Sequence, residues 1–182
     1  MSKSMDLFRK IEKPNAEEYP GYASMYMKLV PGDGLLLKHL SESFENFRQL
    51  ILSLPEKKLL YRYANGKWTI KETLVHIIDD ERIYAYRALC FARNEKTALP
   101  GFEQDDYVNS SNANSRSIES ILEEYEAVRK ATIALFAGLD DSTWLREGVA
   151  NNNKATVRAL AYHIAGHELH HINIIKEKYL GE

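Results

Sequence analysis

The chain has a single cysteine, Cys90, in 182 residues. One thiol excludes an internal disulfide and any cysteine-ligated zinc cluster, so a metal held by this protein must rely on nitrogen and oxygen donors. A basic excess is lacking too: Lys plus Arg is 24 against 26 Asp plus Glu, a net charge of −2. Phosphate backbones demand the opposite balance, so nucleic acid is not an expected partner. No apolar run is long enough to cross a bilayer, and residues 1–12 alternate charged and apolar side chains instead of forming the core of a signal peptide. A cytoplasmic protein with no membrane partner is expected. Convincing strands, internal repeats and low-complexity tracts are likewise missing. With 45% hydrophobic residues, the chain can bury one proper core, and a single domain over residues 1–182 is expected.

What is present is helical periodicity. Leu36, Leu37, Leu40, Phe44, Phe47, Ile51 and Leu54 fall on one stripe of a first long helix over about 34–54, closed by Pro55. A second helix opens on Thr69-Ile70-Lys71-Glu72, a capping box in which hydroxyl and carboxylate satisfy free amide hydrogens, and runs to about Arg93. Ser117 caps a third, whose stripe passes through Ile121, Tyr125, Val128, Thr132 and Phe136 to Gly138, expected as a left-handed stop. The fourth starts near Thr156 and stops at Gly181. The pattern predicts an all-α four-helix bundle with long, unequal connections. Residues 94–116 and 139–155, rich in Asn, Asp, Ser and Gly, are expected to cover one end. Residues 1–32, with Pro14, Pro20 and Pro31, are expected to wrap the outside.

Four of the six histidines, His163, His167, His170 and His171, lie in the last helix. Residues four apart on a helix sit one above the other, so His167 and His171 form a chelating pair on the face shared with Val157, Leu160, Ile164, Ile174 and Ile175. Spacing also permits His163 with His167, although His163 and His170 fall toward an edge facing a neighbouring helix or solvent. Two side chains do not hold a metal alone. His76, in the middle of the second helix, is the remaining well-placed imidazole, whereas His39 lies off its helix's apolar stripe and reads as a flank residue. Along the His76 side run Thr73, Asp80, Ile83, Arg87 and Phe91, a mixture of charge and apolar groups that suggests a polar pocket. His167-Glu168-Leu169-His170-His171 also spells H-E-x-x-H, the helix of many zinc proteases. Those enzymes take a third ligand farther downstream and align substrate on a strand edge, and this chain offers neither. Half of a di-iron motif, Glu168-x-x-His171, is present without its second half.

Several of these segments together carry a family resemblance. They are Lys67-Trp68-Thr69-Ile70-Lys71-Glu72 followed by His76, residues 79–87, Leu99-Pro100-Gly101-Phe102, residues 105–108, and Gly166-His167-Glu168-Leu169-His170-His171. The chain resembles the DinB (YfiT-like) superfamily of four-helix bundles over nearly its whole length. The resemblance implies a divalent metal on three histidines, which carry over to His76, His167 and His171. Imidazole suits zinc or nickel best, with iron or manganese also compatible. It also implies a range of chemistries, among them thiol S-transfer with low-molecular-weight thiols, isomerisation and hydrolysis. Three imidazoles leave positions open on the metal, where water or a thiol becomes a nucleophile. An enzyme acting on a small molecule is therefore expected. Asp80 is a candidate to orient His76 or take a proton, Glu168 a candidate base if it points inward, and Arg87 a candidate anion holder. Glu103, Asp105 and Asp106, with Phe102 and Tyr107, are placed to close the pocket mouth. The alternative from another class is a non-catalytic protein stabilised by its metal. Bundles of this type often pair, and a homodimer is expected.

Overall fold

The computed structural model describes residues 6–181. Seven α-helices appear among them: α1 Ser24–Met27, α2 Leu36–Leu52, α3 Glu56–Leu59, α4 Ile70–Ala92, α5 Gln104–Ser110, α6 Ile118–Ala137 and α7 Val157–Ile174. A π-helical stretch, Ile175–Leu180, prolongs α7. The four long helices form a closed ring in the order α2, α6, α4, α7, each packed on two neighbours. Their termini follow the expected local chemistry. Thr69 accepts from the Glu72 amide while Glu72 accepts from the Thr69 amide, and Ser117 and Thr156 accept from the amides three residues on. Gly181 closes the last helix in the left-handed region at φ 78°. Gly138 does not: its φ is −84°, so α6 ends in right-handed geometry, its amide bonded back to Ala134 and Leu135.

The expectation of no strand is corrected by a small antiparallel hairpin, β1 Glu147–Ala150 and β2 Asn153–Thr156, inside a segment read as loop. Its two turn residues, Asn151 and Asn152, both have positive φ, 48° and 58°. That conformation matches the twist of paired strands, and asparagine tolerates it better than most residues. The Leu99-Pro100-Gly101-Phe102 run clips onto this hairpin through the Leu99 amide on the Val149 carbonyl and the Asn151 amide on the Leu99 carbonyl. Among the described residues, no helix is long and apolar enough to cross a membrane.

The first part of the chain does more than wrap the outside, although residues 1–5 of that segment lie outside the described residues. Ile11, Ala23, Met27 and Val30 are buried in the core, and Tyr162 donates its hydroxyl proton to the Ile11 carbonyl. Gly166 lets α1 approach α7: a Cβ there would lie 2.6 Å from the carbonyl carbon of Tyr26, and closer still to its oxygen.

Two apolar clusters fill the bundle. One gathers Leu36, Leu37, Leu40, Ala88, Phe91, Phe136, Trp144 and Leu160; the other gathers Phe44, Phe47, Ile51, Ile70, Leu74, Ile121, Tyr125 and Ile175. Between these levels α4, α6 and α7 contribute a buried polar layer of His76, Asp80, Glu81, Arg129, His163, His167 and Glu168. Polar groups in a core cost several kcal/mol unless each finds a partner, and the candidate site lies in this layer.

Candidate metal centre

Three imidazoles from two helices converge. His76 Nε2 and His171 Nε2 each lie 3.1 Å from His167 Nε2, and the three rings offer donor atoms all within 4.8 Å of one another. His76 and His167 are buried, while His171 keeps partial contact with solvent. Burial lowers the basicity of all three rings. It is the chief cause in each case, reinforced in all three by neighbouring imidazoles and opposed at His76 and His167 by Asp80. His171 is pushed down to about 3. At neutral pH the set is therefore three uncharged imidazoles with lone pairs available.

Two walls enclose it. The Trp68 ring lies 4.7 Å from His76. The Tyr26 ring meets His163, His167 and His170 edge-on at 5.0, 5.4 and 5.4 Å. Asp105 acts on His76 through its charge; with Asp106 and Tyr107 it lies in helix α5, where a loop is expected from the sequence.

Asp80 is buried and stands one turn past His76 in sequence, yet its carboxylate serves α7. Oδ2 is 3.3 Å from His167 Nδ1 and 3.3 Å from His163 Nε2. Burial pushes the Asp80 carboxyl up, but His167, His163 and His76 outweigh it and hold the group at about 2. With the carboxylate beside Nδ1 of His167, the proton of that ring belongs on Nδ1 and the lone pair on Nε2.

These donors fit a divalent cation. A single Nε2 lone pair accepts one good hydrogen bond, yet His167 Nε2 has two nitrogens at 3.1 Å. A cation at the centre satisfies all three lone pairs. At metal–nitrogen distances of about 2.0–2.1 Å, neighbouring ligand nitrogens stand roughly 2.9 Å apart in octahedral and 3.3 Å apart in tetrahedral geometry, which brackets the two 3.1 Å spacings that His167 makes with His76 and His171.

Glu168 is buried on the other side of α7. One residue along a helix turns the side chain by about 100°, so His167 and Glu168 face different neighbours, as do Asp80 and Glu81 on α4. Glu168 accepts from the Tyr125 hydroxyl and from Arg129 Nη1 at 3.2 Å. Arg129 also grips Glu81 through Nε and Nη2, at 3.0 and 2.8 Å, and donates to the Leu40 carbonyl. This ion cluster ties α2, α4, α6 and α7 together and holds Glu168 on the face of α7 turned toward Tyr125 and Arg129. Arg87 donates to the Pro100 carbonyl at 3.0 Å, with its guanidinium 5.0 Å from the Tyr84 ring and 6.0 Å from that of Phe102. It supports the loop that leads to α5. His39 pairs with Asp33 at 2.9 Å on the flank of α2.

Sequence reasoning missed two contributors and left a third open. Tyr26 carries no local signal, because only the Gly166 gap brings it to α7. His163, expected at an edge facing a neighbouring helix or solvent, faces the neighbouring helix α4, buried at 4% exposure with its ring stacked on Tyr84. Arg129 was legible in principle, as a cation on the stripe side of its helix beside Tyr125, Val128 and Thr132.

A family model described as the DinB superfamily matches residues 39–175. A protein of Oceanobacillus iheyensis, provisionally described as a metal-dependent hydrolase, is 25% identical over 142 residues, which span 77% of this chain and 81% of that protein. Among solved structures, YfiT from Bacillus subtilis superposes with a TM-score of 0.70 at 16% identity, covering 91% of each chain. It is provisionally described as a metal-dependent hydrolase with an unusual four-helix bundle topology.

Proposed function

The chain belongs to the DinB superfamily, and on that premise we propose that it is a metal-dependent enzyme that activates a nucleophile against a small-molecule electrophile. The observation that carries this reading is the convergence of three uncharged imidazoles, of which His171 is the least buried. His76, His167 and His171 would hold one divalent cation, with zinc and nickel the favoured ions for an all-imidazole set. When bound, such an ion lowers the pKa of water or of a thiol to near neutrality.

The chain's own residues do the rest. Burial keeps the imidazoles unprotonated, and Asp80 orients His167. Trp68 and Tyr26 exclude bulk water from two sides, which leaves the His171 side for entry of the reacting molecule. The relatives, provisionally described as metal-dependent hydrolases, favour hydrolysis; thiol S-transfer is the second chemistry the same donor set serves. A buried carboxylate committed to Arg129 and Tyr125 supports neither a protease mechanism nor catalysis by Glu168. Pairing into a homodimer in the cytoplasm belongs to the same proposal.

Elemental analysis and calorimetric titration with zinc, nickel, iron and manganese test the site, with one ion per chain expected. Turnover of activated esters and amides, and of thiols with electrophiles, is then compared with His76→Ala. Turnover lost in that variant while the fold survives supports the enzyme. A bound ion with no turnover above the variant overturns it in favour of a metal-stabilised binding protein.

A further inference from the structure

Asp80 Oδ2 and His163 Nε2 stand out among the buried polar atoms of the described residues. Neither makes a well-formed hydrogen bond, although they lie 3.3 Å apart. His163 is not one of the converging imidazoles. Its ring lies flat on Tyr84, with centroids 3.6 Å apart and planes within 2°. The Tyr26 ring meets it edge-on at 5.0 Å, and the Tyr84 hydroxyl stands 3.4 Å from that of Tyr22. Stacking and edge packing restrict the ring, so the position of its Nε2 is set by aromatic packing. That position is 3.3 Å from the same carboxylate oxygen that His167 Nδ1 approaches at 3.3 Å.

We propose that His163 is a positioning residue: held by Tyr84 and Tyr26, it donates Nε2–H to Asp80 and so fixes the carboxylate against Nδ1–H of His167, which presents the Nε2 lone pair to the metal. The inference rests on the three-imidazole reading above. An uncharged imidazole carries its proton on one nitrogen only, and which one is set by the hydrogen bond it makes. If Asp80 turned away, His167 could carry its proton on Nε2 and would then no longer be a ligand. One carboxylate oxygen facing two imidazoles can be held only if both present N–H. His163 is thus required in the Nε2–H form and His167 in the Nδ1–H form. Carboxylates behind ligating histidines commonly change metal affinity by about 10–100-fold, and His163 acts one bond farther out through the same carboxylate.

Two variants and one measurement on the unaltered protein test this. His163→Phe keeps a ring for the Tyr84 stack but has no donor; His163→Gln restores an N–H near the Nε2 position. Zinc titration should show affinity about 10-fold weaker in His163→Phe and close to wild type in His163→Gln. Nitrogen-15 NMR of metal-free wild-type protein should show Nε2–H on His163 and Nδ1–H on His167. Unchanged zinc affinity in His163→Phe, an equal loss in both variants, or the opposite ring form on either histidine overturns the proposal. If wild-type protein binds no zinc, nickel, iron or manganese, the three-imidazole reading fails instead, and the NMR result still decides whether the His163–Asp80–His167 arrangement exists.

Discussion

Replacement of Gly166 by alanine sets two opposing effects against each other. Alanine in place of a mid-helix glycine favours a helix by about 0.8–1 kcal/mol. Against this, the new Cβ would lie 2.6 Å from the Tyr26 carbonyl carbon and 2.9 Å from the Tyr26 Cβ. Ordinary carbon contacts start near 3.5 Å, so α1 must move by roughly an ångström. The obstacle is backbone, which cannot swing aside as a flexible side chain can. Overpacking of this kind costs about 1–3 kcal/mol, and the upper half of that range applies here. The net effect is a loss of about 1–2 kcal/mol. For a chain of this size the melting temperature falls about 2–4 °C per kcal/mol, a drop of about 2–8 °C. The displaced residue carries the ring that packs on His163, His167 and His170, so metal affinity should fall together with stability. Thermal unfolding by circular dichroism, with zinc titration of the folded variant, checks both. A variant as stable as wild type, or more so, would refute the claim that the glycine exists to admit Tyr26.

Other consequences concern the buried charges and the metal. Arg129→Met leaves Glu81 and Glu168 buried without a cation, which costs about 3–5 kcal/mol and should lower the melting temperature by about 6–20 °C; replacing all three charged residues by methionine should recover most of the loss in the same melt. Chelator added to metal-loaded protein should lower the melting temperature by about 5–11 °C if the ion had been at about 100 times its dissociation constant, and His76→Ala should show no such shift. Glu18 fastens the start of the chain to α7. Burial raises its carboxyl, but Arg158, the Asn15 amide and the Thr156 hydroxyl together hold it below its ordinary 4.5. A lowered folded value means that the contribution is complete above the unfolded value and is lost as pH falls through the folded one. The gap in urea midpoint between wild type and Glu18→Gln should therefore be wide at neutral pH and narrow as the pH falls below 4.5; a gap that widens on acidification would contradict the assignment.

The four long helices, their apolar stripes and all their expected caps but Gly138 were legible locally. Thr69 with Glu72, Ser117, Thr156 and Gly181 act within a few residues of where they stand, so spacing alone places them. The pairing of His167 with His171 is legible for the same reason, since a helix stacks residues four apart whatever surrounds it. The hairpin was not, because Asn151 and Asn152 read equally well as loop until two strands pair across them. The direction of Glu168 was half legible: its offset from His167 follows from helical geometry, but its partner Arg129 is 39 residues away. Asp80 marks the limit most clearly. One turn past His76 in sequence, it faces His163 and His167 on another helix.

Sequence by itself determined the class of fold, the helix boundaries and a shortlist of metal-binding side chains, because those depend on periodicity and end chemistry along a single element. Only the packed chain decided that His76 meets the terminal pair, that Tyr26 covers them, and that neighbouring carboxylates serve opposite faces of the bundle. Those outcomes depend on how one helix is rotated against the next, and rotation is set by many distant contacts acting together.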